Sequence, residues 1–166
     1  MAWSPFFNAG FVEPIIDNVL TILERDSQAA LTWANGGTKL PDFVKYRKAP
    51  LLETHWPCVT VTAIRSDTED DGLSQIGQQH FMQAEIELTG KSSEEVTDAL
   101  FKYVRAVDSI LRTASYQDFF SGMSYSGGET KQVTSHDYSD VGYSGERGQF
   151  FKAAIISFNV TLVEAK

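Results

Sequence analysis

From His80 to Ala114 the chain first alternates and then winds. Phe81, Ala84, Ile86 and Leu88 fall mostly on one side of an extended segment, and Gln83, Glu85, Glu87 and Thr89 on the other. That pattern predicts a half-buried strand. Gly90 and Lys91 turn the chain. Ser92 stands three residues before Glu95, the spacing of a capping box, in which the serine oxygen accepts from a free helix N–H and the glutamate reaches back to the cap. The helix that follows carries an apolar stripe of Val96, Leu100, Tyr103, Val104, Val107, Ile110, Leu111 and Ala114, all on one side at 3.6 residues per turn.

A second amphipathic helix is predicted to begin at Glu13–Pro14, with proline suited to the first turn. Val12, Ile16, Val19, Leu20, Leu23, Ala30 and Leu31 share one face, and Asp17, Thr21, Glu24, Arg25 and Gln28 the other. Ile15 and Ile22 widen the apolar side. Asn35-Gly36-Gly37 ends the helix, because glycine accepts the left-handed conformation of a C-cap. Cys58 to Ile64 reads as a short strand, with Val59, Val61 and Ala63 on one side. Phe151 to Val163 reads as a long closing strand, with Ala154, Ile156, Phe158, Val160 and Leu162 on one side.

Between these elements the pattern is weaker. Residues 38–57 form a long, locally basic connection (Lys39, Lys45, Arg47, Lys48), of the kind that is often functional or covers a sheet edge. Residues 66–79 read as an acidic, flexible, projecting loop. Residues 115–149 are rich in Ser, Gly and Tyr. Gly127-Gly128 offers a two-residue hairpin turn between Met123–Ser126 and Glu129–Ser135, and Asp137 to Gly148 reads as a mobile loop. Residues 1–11 hold Trp3, Phe6, Phe7 and Phe11, either a tail tucked on its own core or an arm docking on a neighbour. The expected fold is α+β: a mostly antiparallel β-sheet covered on one face by two amphipathic helices, with long projecting loops. One domain over residues 1–166 is expected, with 1–11 as an arm and 115–149 as an insert.

Composition narrows the function. The 166 residues carry a formal net charge of −8, which argues against binding nucleic acid by neutralising phosphates and against docking on an anionic membrane. A single cysteine, Cys58, excludes an internal disulfide and a multi-cysteine metal site. Its sequence context, beside Pro57 in a strand, suggests a small buried hydrophobe. Neither a secretory signal nor a membrane-spanning run is expected, and a cytoplasmic site of synthesis is the natural expectation.

Candidate chemistry is thin. Asp67, Glu69, Asp71 and Gly72 echo the start of a calcium loop, but the twelfth position is Gln78 instead of a bidentate glutamate. His55, His80 and His136 have no metal-ligand spacing. Gly122-Met123-Ser124-Tyr125-Ser126 and Gly142-Tyr143-Ser144-Gly145 are near misses to a serine-nucleophile motif. His136-Asp137 offers an imidazole beside a carboxylate, the least specific seed of a small hydrolase. No cofactor or metal is expected. Phe101 is the feature that departs from pattern: it falls on the polar side of its helix, with Arg105 one turn on. Aromatic and arginine side chains together are favoured in interface cores, so Phe101 and Arg105 are candidate contact residues. Asp98–Lys102 and Asp108–Arg112 are acid-first pairs that support the helix.

The order of elements resembles that of the tail-terminator or neck-terminator (tail completion) proteins of tailed bacteriophages. The carriers are the first helix with Ile15-Ile16-Asp17-Asn18-Val19-Leu20, the strand Pro57-Cys58-Val59-Thr60-Val61, and Phe81 to Leu88. To these are added the capped helix ending Ile110-Leu111 and the strand Ile155-Ile156-Ser157-Phe158-Asn159-Val160. The resemblance covers most of the chain as a pattern of elements and lengths, without an invariant motif. The 115–149 insert and the aromatic N-terminus have no counterpart in it. It implies a non-enzymatic virion protein of the tail or neck, assembled in the host cytoplasm. Such a protein forms a homo-oligomeric ring, usually a hexamer, that caps the tail tube protein and joins it to the head-completion or connector protein. DNA would pass through the lumen without specific contact, and no membrane is involved. Six copies at −8 would carry roughly −48, a wall along which phosphates slide. In this reading Asp67, Glu69, Asp70 and Asp71 are candidates for lumen or tube contact. A monomeric adaptor using residues 115–149 as its contact surface stays open, since Tyr, Ser and Gly suit adaptable recognition, as does a hydrolase built on His136 and Asp137.

Overall fold

The computed structural model describes residues 11–49, 56–70, 72, 74–123, 125 and 127–165. The elements in chain order are α1 (Glu13–Ala34), β1 (Lys45–Arg47), β2 (Cys58–Asp70), β3 (Gln75–Gly90), α2 (Ser93–Thr113), α3 (Tyr116–Phe119), β4 (Gly127–Tyr138), β5 (Gly142–Ser144) and β6 (Gln149–Ala165). The strands form one sheet in the order β1-β2-β3-β6-β4, with β5 also on β6. All pairings are antiparallel except β1 with β2. The fold is α+β, with α1 and α2 on one face.

Alternation explains that face. Val59 and Val61 of β2, Met82 to Leu88 of β3 at even positions, and Ala154 to Leu162 of β6 at even positions point at the helices. They meet Ile15, Val19, Leu23 and Leu31 of α1 and Val96, Leu100, Val104 and Val107 of α2. Each large side chain buried there contributes about 1.5–3 kcal/mol. Lys102, expected to pair with Asp98, instead donates to Asn35 Oδ1 at 2.7 Å and ties α2 to the end of α1. The cap of α2 forms as expected on one side, with Ser92 Oγ accepting from Glu95 N at 3.0 Å. Glu95 reaches back one residue further than a capping box, to Lys91 N at 3.0 Å.

Several expectations are corrected. Phe81 does not share the face of Ala84 and Ile86. It lies on the helix-free side, opposite Arg65, whose guanidinium stacks 4.4 Å over its ring, and Met82 takes the inward position. The expected projecting loop 66–79 is mostly a paired ribbon: β2 runs to Asp70 and β3 begins at Gln75. Polar cross-strand pairs hold it in place of apolar ones. Ser66 Oγ meets His80 Nδ1 at 2.7 Å, and Gln78 Nε2 donates to Thr68 Oγ1 at 2.6 Å.

The connection 38–57 carries β1, which covers the edge of β2 at Cys58–Thr60. It is pinned to α1 where Ser27 Oγ donates to Asp42 Oδ1 at 2.6 Å, and Tyr46 shares the same cluster. The Tyr103 hydroxyl donates to the Pro41 carbonyl.

The 115–149 segment is not a free insert. α3 is capped by Ser115 and sinks Phe119 and Phe120 into the core. Gly127-Gly128 opens β4 instead of turning a hairpin, with φ of 119° and 68°. Asp137 and Tyr138 finish β4, and β5 occupies part of the expected loop. Of the aromatic arm, only Phe11 is among the described residues, and it is exposed. His55, Asp71, Ser124 and Ser126 lie outside them.

Candidate assembly surfaces

The outward side of α2 meets the edge strand β4 in one corner. Phe101 is 51% exposed, and its ring packs edge-on against Tyr138, 42% exposed, with centroids 5.4 Å apart and planes at 67°. Arg105 follows one turn on, exposed. The next turn brings Asp108, which takes Arg112 Nε on Oδ2 at 2.8 Å and His136 Nε2 on Oδ1 at 2.8 Å. Burial pushes the Asp108 carboxyl up, but hydrogen bonds from Arg112 and His136 outweigh it and hold the group below its ordinary value. Burial, then the Asp108 charge, raises the Tyr138 phenol. Deeper in the same corner Lys131 Nζ donates to the carbonyls of Leu111 at 3.0 Å and Arg112 at 2.8 Å. It thereby satisfies two orphan acceptors at the end of α2.

His136 therefore serves Asp108 on the helix-covered face. Asp137, its neighbour in β4, points to the other face and takes Ser135 Oγ at 3.3 Å. Strand alternation separates the imidazole from the carboxylate that the sequence set beside it.

The acidic candidates lie on the far edge of the sheet, away from Phe101 and Arg105. Asp67 and Glu69 face the helix-free side from β2, and Arg65 Nη2 pairs with Asp67 at 3.2 Å. Asp70 accepts from Gly72 N at 2.8 Å. Asp67, Glu69 and Asp70 are strand residues, so the calcium-loop likeness does not correspond to a loop.

Sequence reasoning missed a third feature, at the opposite end of the helix-free face. Arg47, 7% exposed, extends from β1 across β2, where Nε donates to Thr60 Oγ1 at 2.8 Å and Nη2 stands 3.5 Å from Glu87 Oε1. Nη1 of the same guanidinium is buried and without a hydrogen-bond partner. Cys58 is fully buried beside Glu87, and burial pushes its thiol up to about 11. Glu85, two residues before Glu87 on the same face, is raised by burial and then by Glu87. The available signal was Glu85-x-Glu87 on the polar side of a strand, together with one arginine in the basic connection. Their meeting depends on the parallel β1–β2 pairing, which three residues cannot announce.

The chain matches no protein-family model and no curated protein. In fold it is similar to a chain of the virion of a native gene transfer agent (GTA) particle, at 12% identity over 89% of this chain and 92% of that one, with a TM-score of 0.41. Among the described residues, no helix is long and apolar enough to cross a membrane.

Proposed function

We propose that the protein is a non-enzymatic structural component of a virion, of the tail-terminator kind, whose copies join side by side into a ring around a passage for DNA. The observation that carries this reading is the state of the two sheet edges. Among the described residues β4 has no strand on its outer side, and β2 has none beyond Thr60. The registers set these free edges at one height. Arg65 is level with Phe81, Asn159 and Gln132, and Thr62 with Gln83, Ser157 and Ser135. β4 also runs opposite to β2, so the β4 edge of one copy fits antiparallel against the β2 edge of the next. Unpaired edges are templates for such pairing. A head-to-tail contact of this kind closes into a ring when the rotation permits.

The Phe101–Tyr138 corner borders the β4 edge and supplies side-chain contact to the same neighbour. The helix-free face, with Gln79, Gln83, Ser157, Asn159, Thr161 and Gln132, is the candidate lumen wall: polar, without a basic patch, and part of a chain at −8. Phosphates would slide along it without sticking. The tail tube and a head-side connector are the partners this reading implies, one on each rim.

The test is solution mass by light scattering after size exclusion, over a concentration series at low and high salt, with negative-stain imaging of the largest species. Discrete rings of fixed copy number, weakened by Phe101→Ala without loss of helical signal, support the proposal. A mass of one chain under every condition, with no rings seen, overturns it.

A further inference from the structure

We infer, resting on the ring reading above, that two bulges on opposite edges of the sheet are a matched pair that sets the register in which one copy of the chain joins the next. The inner strands run regularly through this part of the sheet, β3 from Gln83 to Gln79 beside β6 from Ser157 to Thr161. β2 covers the same rows with one residue more, because Ile64 stands between Ala63, level with Met82, and Arg65, level with Phe81. β4 does the same on the other edge. Thr134 stands between Val133, level with Phe158, and Ser135, level with Ser157, and its Oγ1 donates to the Ser157 carbonyl at 3.1 Å. The two extra residues therefore fall in adjoining steps of the ladder, one on each free edge.

A bulge on an edge deters pairing, since a regular partner strand loses step at the extra residue. The edge offered by a second copy carries the same extra residue at the same height, so the two bulges cancel. The ladder between copies then runs without a gap from Thr62 with Ser135, through Ile64 with Val133, to Asp67 with Thr130. Main-chain direction agrees. Val44 N donates to the Pro57 carbonyl, so Pro57 faces outward from β2 and, by alternation, Thr62 turns its main-chain groups inward to β3. Ser139 N donates to the Ala153 carbonyl, so Ser135 turns its groups inward to β6. Thr62 and Ser135 thus make a non-hydrogen-bonded pair, with outward-facing groups on both strands at the next step, as an antiparallel ladder requires. Ile64, 57% exposed, gains an apolar neighbour in Val133. Arg65 and Asp67 meet the neutral Gln132 and Thr130, so no like charges stand opposite. A regular strand from another protein would match this edge on one side of the bulge only. The occupant is a second copy.

The test combines deletion with cross-linking in the full chain. Deleting Ile64 leaves Ala63 and Arg65 consecutive opposite Met82 and Phe81, and deleting Thr134 leaves Val133 and Ser135 consecutive opposite Phe158 and Ser157. Each chain therefore keeps its own sheet, which circular dichroism and thermal unfolding check. Either deletion alone puts the two edges one residue out of step and turns the paired side chains to opposite faces. Rings, read by light scattering and negative-stain imaging, should be lost in each single deletion and return with the wild-type copy number in the double deletion. Damage to folding would not be repaired by a second deletion on the far edge. In a separate variant, Thr62→Cys with Ser135→Cys should cross-link on oxidation into covalent multimers. Within one chain these positions lie three strand spacings apart, about 14 Å, beyond disulfide reach, so a bridge joins copies. Native Cys58 is fully buried. Thr62→Cys with Gln132→Cys is the out-of-register control and should stay unbridged. A wild-type chain without rings overturns the ring reading and this register together. Rings that survive a single deletion, a folded double deletion that fails to restore them, or a control pair that bridges as well as Thr62 with Ser135 overturns the register alone. The cysteine pairs decide by themselves where a deletion prevents folding.

Discussion

The Phe101 ring stands edge-on to Tyr138 at 5.4 Å, joining the outward side of α2 to the last residue of β4. Both rings remain about half exposed, so the contact adds little to the core while presenting two aromatic faces to whatever lies beyond. A double-mutant cycle with Phe101→Ala and Tyr138→Ala should give a coupling of about 0.5 kcal/mol in urea unfolding, the low end for aromatic pairs. Each single variant should cost under about 1 kcal/mol. Zero coupling would mean the rings are merely neighbours. A much larger single cost would mean that Phe101 is a fold residue and not a surface one.

The helix cap is a local feature and should behave as one. Ser92→Ala removes the acceptor for Glu95 N at 3.0 Å and should lower stability by about 1 kcal/mol, while Ser92→Gly should cost only a few tenths. Because Glu95 binds Lys91 N and not the cap's own N–H, Glu95→Ala should act nearly independently of Ser92→Ala. Strong non-additivity between them would favour a reciprocal capping box.

These two cases mark where the sequence was readable. Ser92 and Phe101 are set by spacing along one helix, and so are the stripes of α1 and α2. The even positions of β3 and β6 were readable because apolar residues alternate there against Gln, Glu, Ser and Asn. Phe81 misled because it is an odd position grouped with the even ones of a near-alternation, and its ring lies under Arg65 on the open face. The ribbon of β2 and β3 beyond Ser66 was unreadable, since Asp67, Thr68, Glu69 and Gln78 look the same in a loop as in a ladder held by Thr68–Gln78 hydrogen bonds. β4 was legible only in part: Glu129–Ser135 reads as a strand and lies within it, but an edge strand with Thr130, Gln132 and Ser135 on its open side lacks the apolar period that would carry it on to Tyr138. Of the candidate surfaces, Phe101 was legible and its partner Tyr138 was not. Arg47 with Glu87 was invisible, because that contact exists only once β1 docks beside β2.

Lys131 performs a structural task that a charged residue in an edge strand does not advertise. Its ammonium reaches under the end of α2 to the carbonyls of Leu111 and Arg112, and lies 5.2 Å from the Phe119 ring centre. Lys131→Met keeps the stem and removes both donors. It should cost roughly 1.5–3 kcal/mol, the range for hydrogen bonds made by a charged group. The urea midpoint should fall with an unchanged slope. A neutral outcome would mean that water replaces the ammonium at the helix end.

Glu85 makes the opposite prediction, a substitution that stabilises. Burial, then the neighbouring Glu87, raises its carboxyl above the ordinary glutamate value. The folded chain therefore holds the proton more tightly than the unfolded chain does. Between the unfolded value and the raised folded value the native state binds more protons, so stability falls as pH rises through that window. Above the window the ionised carboxylate opposes folding. Below the unfolded value both states are protonated and the penalty is absent. Glu85→Gln keeps the shape and removes the charge. It should raise stability at pH 7 by a modest amount, on the order of 0.5 kcal/mol after screening of a partly exposed group, and the gain should vanish as pH falls toward 4. Thermal unfolding of both proteins from pH 4 to pH 8 is the measurement. A constant difference across that range would trace the gain to packing, and a loss at pH 7 would mean that the ionised Glu85 is held by a favourable partner.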